Sequence, residues 1–285
     1  METPEDWLTD LMNAPDRQAN LLQVQLITDD EQDETTMSSH TSEQENASSS
    51  VNQTSQQPVS RAVTTLSKRP PGACYQTLVT IEVGSEKKKF VIHKDILTFY
   101  SDFFRGAFNG SFMEATEGKL SLPDVEVAIF DIFNQFLYTG CLADGQGHTL
   151  RSIRLIKLWL FGDRFIVPCL QNSAIDALGK RFSIKHSLPT SFTKLVWENT
   201  LPSAPLRKYM LDTVVHTADV EVILSSGNEE YWTHEALVDL AKALYNEQVV
   251  GDIEYVEQDP DSDFPTMPKR DKCYYHVHAE GEKCD

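Results

Sequence analysis

From residue 75 onward the chain switches between two periodicities, and the switches mark out its elements. "TLVTIEVG" (77–84) and "EKKKFVIHK" (86–94) are short β-rich runs on either side of a Gly-Ser-Glu turn, a pattern that predicts a hairpin. A helix, "KDILTFY" (94–100), follows at once, and Ser101 with Asp102 signals a fresh start for a second helix, "DFFRGAFNG", which Asn109 and Gly110 stop. Next come a short strand, "KLSLP" (119–123), and a helix, "VEVAIFDIFNQFLY" (125–138), capped by Asp124 and ended by Gly140. In this helix Ile129, Phe133, Phe136 and Leu137 recur at helical spacing. Two more helices, around "LRSIRLIKLWLFGDRF" (150–165) and "PCLQNSAIDALGKRF" (168–182), are separated by Pro168. Amphipathic pieces then recur as "SFTKLVWENT", "PLRKYMLDTVVHTA" and "THEALVDLAKALYN", with a stripe such as Leu206, Met210 and Val214 on one face.

The polar stretches divide the chain. Residues 1–72 form an acidic arm, of which 13–72 is rich in Ser, Thr, Gln and Asn and has too few aliphatics to offset the entropy of ordering, so it is expected to be disordered. Its tip, "TPEDWLTDLM", differs. Thr3 can cap, Pro4 suits the first helical position, and Trp7, Leu8, Leu11 and Met12 share one face, which predicts a helix over 4–12. It reads either as a frayed turn or as a recognition helix for a partner's groove. The dense region spans 73–183, a helical extension 184–246, an acidic proline-punctuated linker 247–272, and a Cys/His tail 273–285.

Composition narrows the function classes. The 285 residues suggest one or two domains, at roughly 100 to 200 residues each. A formal charge of −18 argues against direct binding to nucleic acid or an anionic membrane, both of which need a cationic surface. The start, "METPEDWLTDL", lacks a basic region ahead of an apolar run, and the longest greasy segment, "LIKLWLFG", is interrupted by Lys157. The protein is therefore expected inside the cell, in the cytoplasm, the nucleus or both. Five cysteines, an odd number, do not make a disulfide framework, and Cys74, Cys141 and Cys169 read as core or near-core residues.

The order hairpin, helix pair, strand, long helix, helix pair, carried by "FVIHKDILTFYSDFFRGAFNGSFMEA", "LSLPD" and "FNQFLYTG", resembles a BTB/POZ domain over Tyr75 to Phe182. Within that family the chain looks most similar to fungal BTB-domain proteins, whose ends the tail "CYYHVHAEGEKC" also resembles. The resemblance implies an α+β fold, a small sheet flanked by a helical cluster, with the helical extension appended. It also implies dimerisation, partner docking and no enzymatic activity. Gln76 and Thr77 stand where the family usually has an aspartate at the start of its first strand.

Most residues that could carry chemistry have an ordinary structural explanation. His93, at a strand-to-helix junction beside Lys94 and Asp95, reads as a structural histidine, and Asp95 and Asp102 fall where carboxylates meet unpaired helix N–H groups. Phosphate-binding glycine loops are absent, "NGSFM" lacks the glycines of a nucleophile elbow, and "HEALV" lacks the second histidine of a zinc-protease helix. Phe99, Tyr100, Phe103, Phe104 and Phe108 are too many for one helix face, so an outer interface is expected among them. Cys273, His276, His278 and Cys284 form C-x2-H-x-H-x5-C, a donor set suited to structural tetrahedral zinc, the alternative being a solvated peptide with two thiols.

The reading that results is a non-enzymatic interaction module, expected to form a homodimer and to dock protein partners around the 93–108 helix pair and the 150–182 helices. One alternative is a substrate adaptor of a cullin-type ubiquitin ligase, although "TLRSIRL" is basic where that role resembles an acidic motif. A second is a nuclear corepressor scaffold without DNA contact.

Overall fold

Alternating burial sets the sheet. Strand β1 (Leu78–Val83) pairs antiparallel with β2 (Lys88–His93), with Leu78 opposite His93 and Ile81 opposite Phe90. Val79, Ile81, Phe90 and Ile92 are buried beneath it, while Leu78, Lys89 and Val91 face outward. Gly84 takes φ 75° in the connecting turn, and a Cβ there would lie 2.9 Å from Val127 Cγ2, so only glycine fits. This is a computed structural model, and it describes residues 70–143, 149–185, 190–217, 229–249, 268–271, 273–279 and 282–284. The acidic arm with Trp7, Leu8, Leu11 and Met12, and most of the acidic linker, lie outside the described residues.

Strand β3 (Lys119–Leu122) joins the other edge of β1 in parallel, giving the order β2-β1-β3. A parallel neighbour requires a crossover. Helices α1 (Lys94–Tyr100), α2 (Asp102–Asn109) and α3 (Met113–Glu117) supply it. The sequence pattern marks the first two but not the short α3. Ser101 does two jobs between α1 and α2: its hydroxyl accepts from Phe104 N at 3.1 Å and donates to Phe165 O at 2.6 Å. Asp102 sits one residue inside α2 and pairs with Arg105.

Further α-helices follow along the described residues: α4 (Val127–Thr139), α5 (Ser152–Arg164), α6 (Pro168–Lys185), α7 (Thr193–Asn199), α8 (Pro205–Thr217) and α9 (His234–Val249). The N-cap of α4 is Glu126, which makes no side-chain capping bond, so Asp124 is not the cap expected of it; the Asp124 carboxylate lies 3.9 Å from Arg164 instead. Gly140 ends α4 at φ 70°, donating its N–H to Phe136 O.

Phenylalanine rings run from the sheet to α5. Phe90 lies 4.7 Å from Phe130, Phe130 5.6 Å from Phe133, Phe133 4.7 Å from Phe161, and Phe161 4.5 Å from Phe165. Phe104 stacks on Phe165 at 5.7 Å and on Phe133 at 6.2 Å. The same apolar cluster continues into the extension through Leu195, Trp197, Leu206, Met210, Trp232 and Leu240. There the Arg207 side chain, 3 % exposed, donates to Trp197 O at 2.7 Å, to Thr200 Oγ1 at 2.9 Å and to Thr200 O, and pairs with Glu235. One buried guanidinium thereby ties α7, α8 and α9 together.

On the outer face of the sheet the Glu82 carboxylate is shielded from solvent, 3.0 Å from Lys119 Nζ and 4.0 Å from Lys89 Nζ. The hydrogen bond from Lys119 holds its pKa below the ordinary 4.5, against the opposing effect of burial and with help from the lysine charges.

Phe104→Ala should cost about 3 to 5 kcal/mol by chemical denaturation, because the site is fully enclosed. Arg207→Ala should cost about 2 to 4 kcal/mol, since buried carbonyls lose their donor; the half-exposed Glu235 contributes little of it. A group with a lowered pKa stabilises above its ordinary range and loses that contribution as pH falls through the lowered value. Glu82→Gln should therefore melt below the wild type at neutral pH, and melts across a pH series should show the gap closing below the ordinary carboxylate value of 4.5.

Candidate functional site

The five aromatics expected at an interface divide. Phe103, Phe104 and Phe108 are buried in the monomer, so their assignment to a docking face is corrected: Phe103 meets Phe165 edge-on at 5.0 Å, and α2 spends its apolar side on the core. Phe99 is 39 % exposed, and Tyr100, half-buried and packed against the core, meets it edge-on at 4.9 Å. Of the expected set, Phe99 is the side chain that reaches solvent, with Tyr100 at its flank.

A larger apolar surface lies on the outer side of the hairpin, where strand alternation would ordinarily place polar groups. Leu78 is 55 % and Val91 61 % exposed, and they sit diagonally across β1 and β2, since Leu78 pairs with His93 and Thr80 with Val91. Exposed Tyr75 and Tyr138 flank His93, with ring centroids at 5.5 and 5.9 Å. The Tyr138 hydroxyl accepts from His93 N at 3.2 Å and lies 3.0 Å from Nδ1, to which it donates when the ring proton is on Nε2. His93 thus ties the end of β2 to α4, which is a structural role. The sequence signal for this surface was present in Leu78 and Val91, two apolar residues out of phase with the inward-facing set.

The tail forms a second cluster. Asp271 Oδ1 accepts from Cys273 N at 2.8 Å, His276 N donates to Cys273 O at 3.0 Å, and Glu282 N donates to Ala279 O at 3.0 Å. These tight turns bring donor atoms of Cys273, His278 and Cys284 within 4.8 Å of one another. Cys284 Sγ is 3.4 Å from His278 Nε2 and 2.9 Å from His276 Nδ1, and Cys284 N donates to Cys273 Sγ at 3.1 Å. All four residues singled out by spacing therefore meet around Cys284. A cluster of two thiols and imidazole nitrogens has the chemistry to hold a divalent metal ion.

The cluster is fastened to the rest of the molecule, unlike a solvated peptide. Asn172 on α6 clasps the Val277 backbone twice, accepting its N–H at 2.7 Å and donating to its carbonyl at 3.0 Å. His276 Nε2 lies 2.9 Å from Asp176 Oδ1, also on α6. On α8, Asp212 Oδ2 accepts from Tyr275 Oη at 2.7 Å and from Arg270 Nε at 3.0 Å. Burial, with the Asp212 carboxylate adding to it, pushes the Tyr275 phenol well above its usual range. Sequence reasoning missed Asn172, Asp176 and Asp212, because nothing local marks a partner about 60 to 105 residues away. Cys169, partly buried against the core, takes no part; burial pushes its thiol up to about 12, which leaves it a poor nucleophile.

Among the described residues no helix is long and apolar enough to cross a membrane. No curated protein matches the chain, so the expected affinity with fungal proteins has no relative to support it. Residues 75–178 match the BTB/POZ domain family. That match coincides with the mixed three-stranded sheet and the helices from α1 into α6. The chain thus carries a BTB/POZ domain, a protein–protein interaction module of a typically non-enzymatic family.

Proposed function

We propose that the protein is a non-enzymatic docking module of the cytoplasm or nucleus, whose BTB/POZ domain pairs with a second copy of itself and recruits protein partners. The observation that carries this reading is the outward apolar surface of Tyr75, Leu78, Val91 and Tyr138. It borders β2, an edge strand whose ladder partner is β1 alone among the described residues. A patch beside an open edge suits a two-fold contact, because both copies present the same residues and the same strand edge. Full burial of a leucine or valine contributes roughly 1.5 to 3 kcal/mol, enough for a few such side chains to matter to affinity. Phe99 is the candidate for a separate partner contact.

The roles of cullin-ligase adaptor and nuclear corepressor remain alternatives within the same module. They differ from the self-pairing reading in which partner binds.

Sedimentation velocity of the full chain over a concentration series should show a reversible dimer. The double variant Leu78→Glu, Val91→Glu should shift it to monomer while leaving stability within about 0.5 kcal/mol, as expected of surface sites. A wild type that stays monomeric at every concentration sinks the self-pairing reading. The same samples titrated with a cullin N-terminal domain separate the adaptor role, which requires binding, from the scaffold role, which does not.

A further inference from the structure

We propose that Cys273, His276, His278 and Cys284 hold one zinc ion, and that Asp176 orients His276 from α6, so that the metal clasps the C-terminal tail to the BTB/POZ domain. The inference is independent of self-pairing and rests on four observations.

The donor atoms have the right spacing. Zinc bonds of about 2.3 Å to sulfur and about 2.0 to 2.1 Å to nitrogen place neighbouring tetrahedral donors about 3.3 to 3.8 Å apart. Cys284 Sγ to His278 Nε2 is 3.4 Å, and the mutual limit of 4.8 Å for Cys273, His278 and Cys284 brackets the remaining edges. His276 Nδ1 lies 2.9 Å from Cys284 Sγ but outside the group of three that is mutually within 4.8 Å, so as fourth donor it closes in on Cys273 and His278 when the ion binds.

His276 is held as a ligand should be. Its side chain is 6 % exposed, with Nε2 facing the Asp176 carboxylate and Nδ1 facing the cluster. An Nε2 proton donated to Asp176 leaves the Nδ1 lone pair directed at the cluster. A carboxylate behind a ligating imidazole fixes its tautomer and ring angle.

The two cysteines are already held together by the backbone: Cys284 N–H points at Cys273 Sγ at 3.1 Å, which brings the second thiol to the first. On binding, both thiols give up their protons to solvent, and two thiolates with two neutral imidazoles leave the centre with no net charge. Four protein donors close the coordination sphere, which makes the site structural. Two soft sulfurs with two imidazoles in a tetrahedral arrangement select zinc over magnesium or calcium.

The anchoring is independent of the ligands themselves. Asn172 grips Val277 between the two histidines, so the loop is registered against α6 before any ion arrives. Asp176 and Asn172 lie one turn apart on the same helix and together present a receiving edge for the tail.

The test uses the full chain, purified under reducing conditions, titrated with Zn2+ alone and separately with Co2+ alone. One equivalent of zinc should bind, and cobalt should give thiolate-to-metal charge-transfer bands together with the intense visible bands of a tetrahedral centre. Cys273→Ser and Cys284→Ser should each abolish the charge-transfer signature or reduce it by about half, with His278→Ala also weakening binding. Asp176→Asn, which touches no metal, should lower zinc affinity about 10- to 100-fold while keeping the tetrahedral cobalt spectrum. Zinc should also slow proteolysis within 268–284 in the wild type, and less so in Asp176→Asn. Binding below one-tenth of an equivalent, a cobalt spectrum without sulfur charge transfer, or zinc uptake indifferent to both serine variants overturns the proposal. So does a mass two hydrogens low under the same reducing conditions, which would make Cys273 and Cys284 a disulfide pair.

Discussion

The phenylalanine rings that run from β2 through α4 to α5 are the constraint on which the domain depends. Phe104 and Phe165 stack nearly parallel, which fixes how closely α2 can approach the end of α5, and Ser101 closes that same junction by donating to Phe165 O. Because a close-packed interior leaves little freedom to shift, the position of α2 decides where α1 and the crossover to β3 must run. It also decides what remains outside. With Phe103, Phe104 and Phe108 spent on the core, Phe99 is left at the rim, and the outward face of the hairpin becomes the larger apolar surface.

Much of this architecture was legible in the sequence because its signals are local. Period-two runs marked β1 and β2, Gly140 marked the end of α4, and helical stripes marked α4 to α9. What failed was reasoning about how many neighbours surround a helix. Five aromatics within ten residues suggested two surfaces; Phe99 does reach solvent, but Phe103, Phe104 and Phe108 all go to the core because α2 lies against several rings at once, and periodicity gives the direction of a stripe without the thickness of what covers it. Asp124 failed as a cap because the helix starts later, with Glu126 as its N-cap, and the Asp124 carboxylate lies 3.9 Å from Arg164 instead.

The tail shows the same boundary from the other side. The spacing of Cys273, His276, His278 and Cys284 identified a donor set, and the turns that gather it depend on neighbours within a few residues. The acids and amide that receive it belong to α6 and α8, and no local pattern marks an aspartate on a helix as an acceptor for a histidine 100 residues later. Arg207 is a further instance: a single cation in an amphipathic stripe looks solvated until three helices are seen to close around it.

Asp212 gives the returning tail a consequence for the charge of the whole molecule. It is matched by the Arg270 guanidinium and the Tyr275 hydroxyl, both contributed from beyond Pro268. In a chain of formal charge −18, a version shortened before Pro268 would leave the carboxylates of Asp212 on α8 and Asp176 on α6 without these partners and without His276. It would also strip the Tyr275 ring from Tyr209. A shortened protein would thus be a different electrostatic object, with two newly bared acids beside newly bared aromatic surface, and its associations would report on that scar as much as on the native faces.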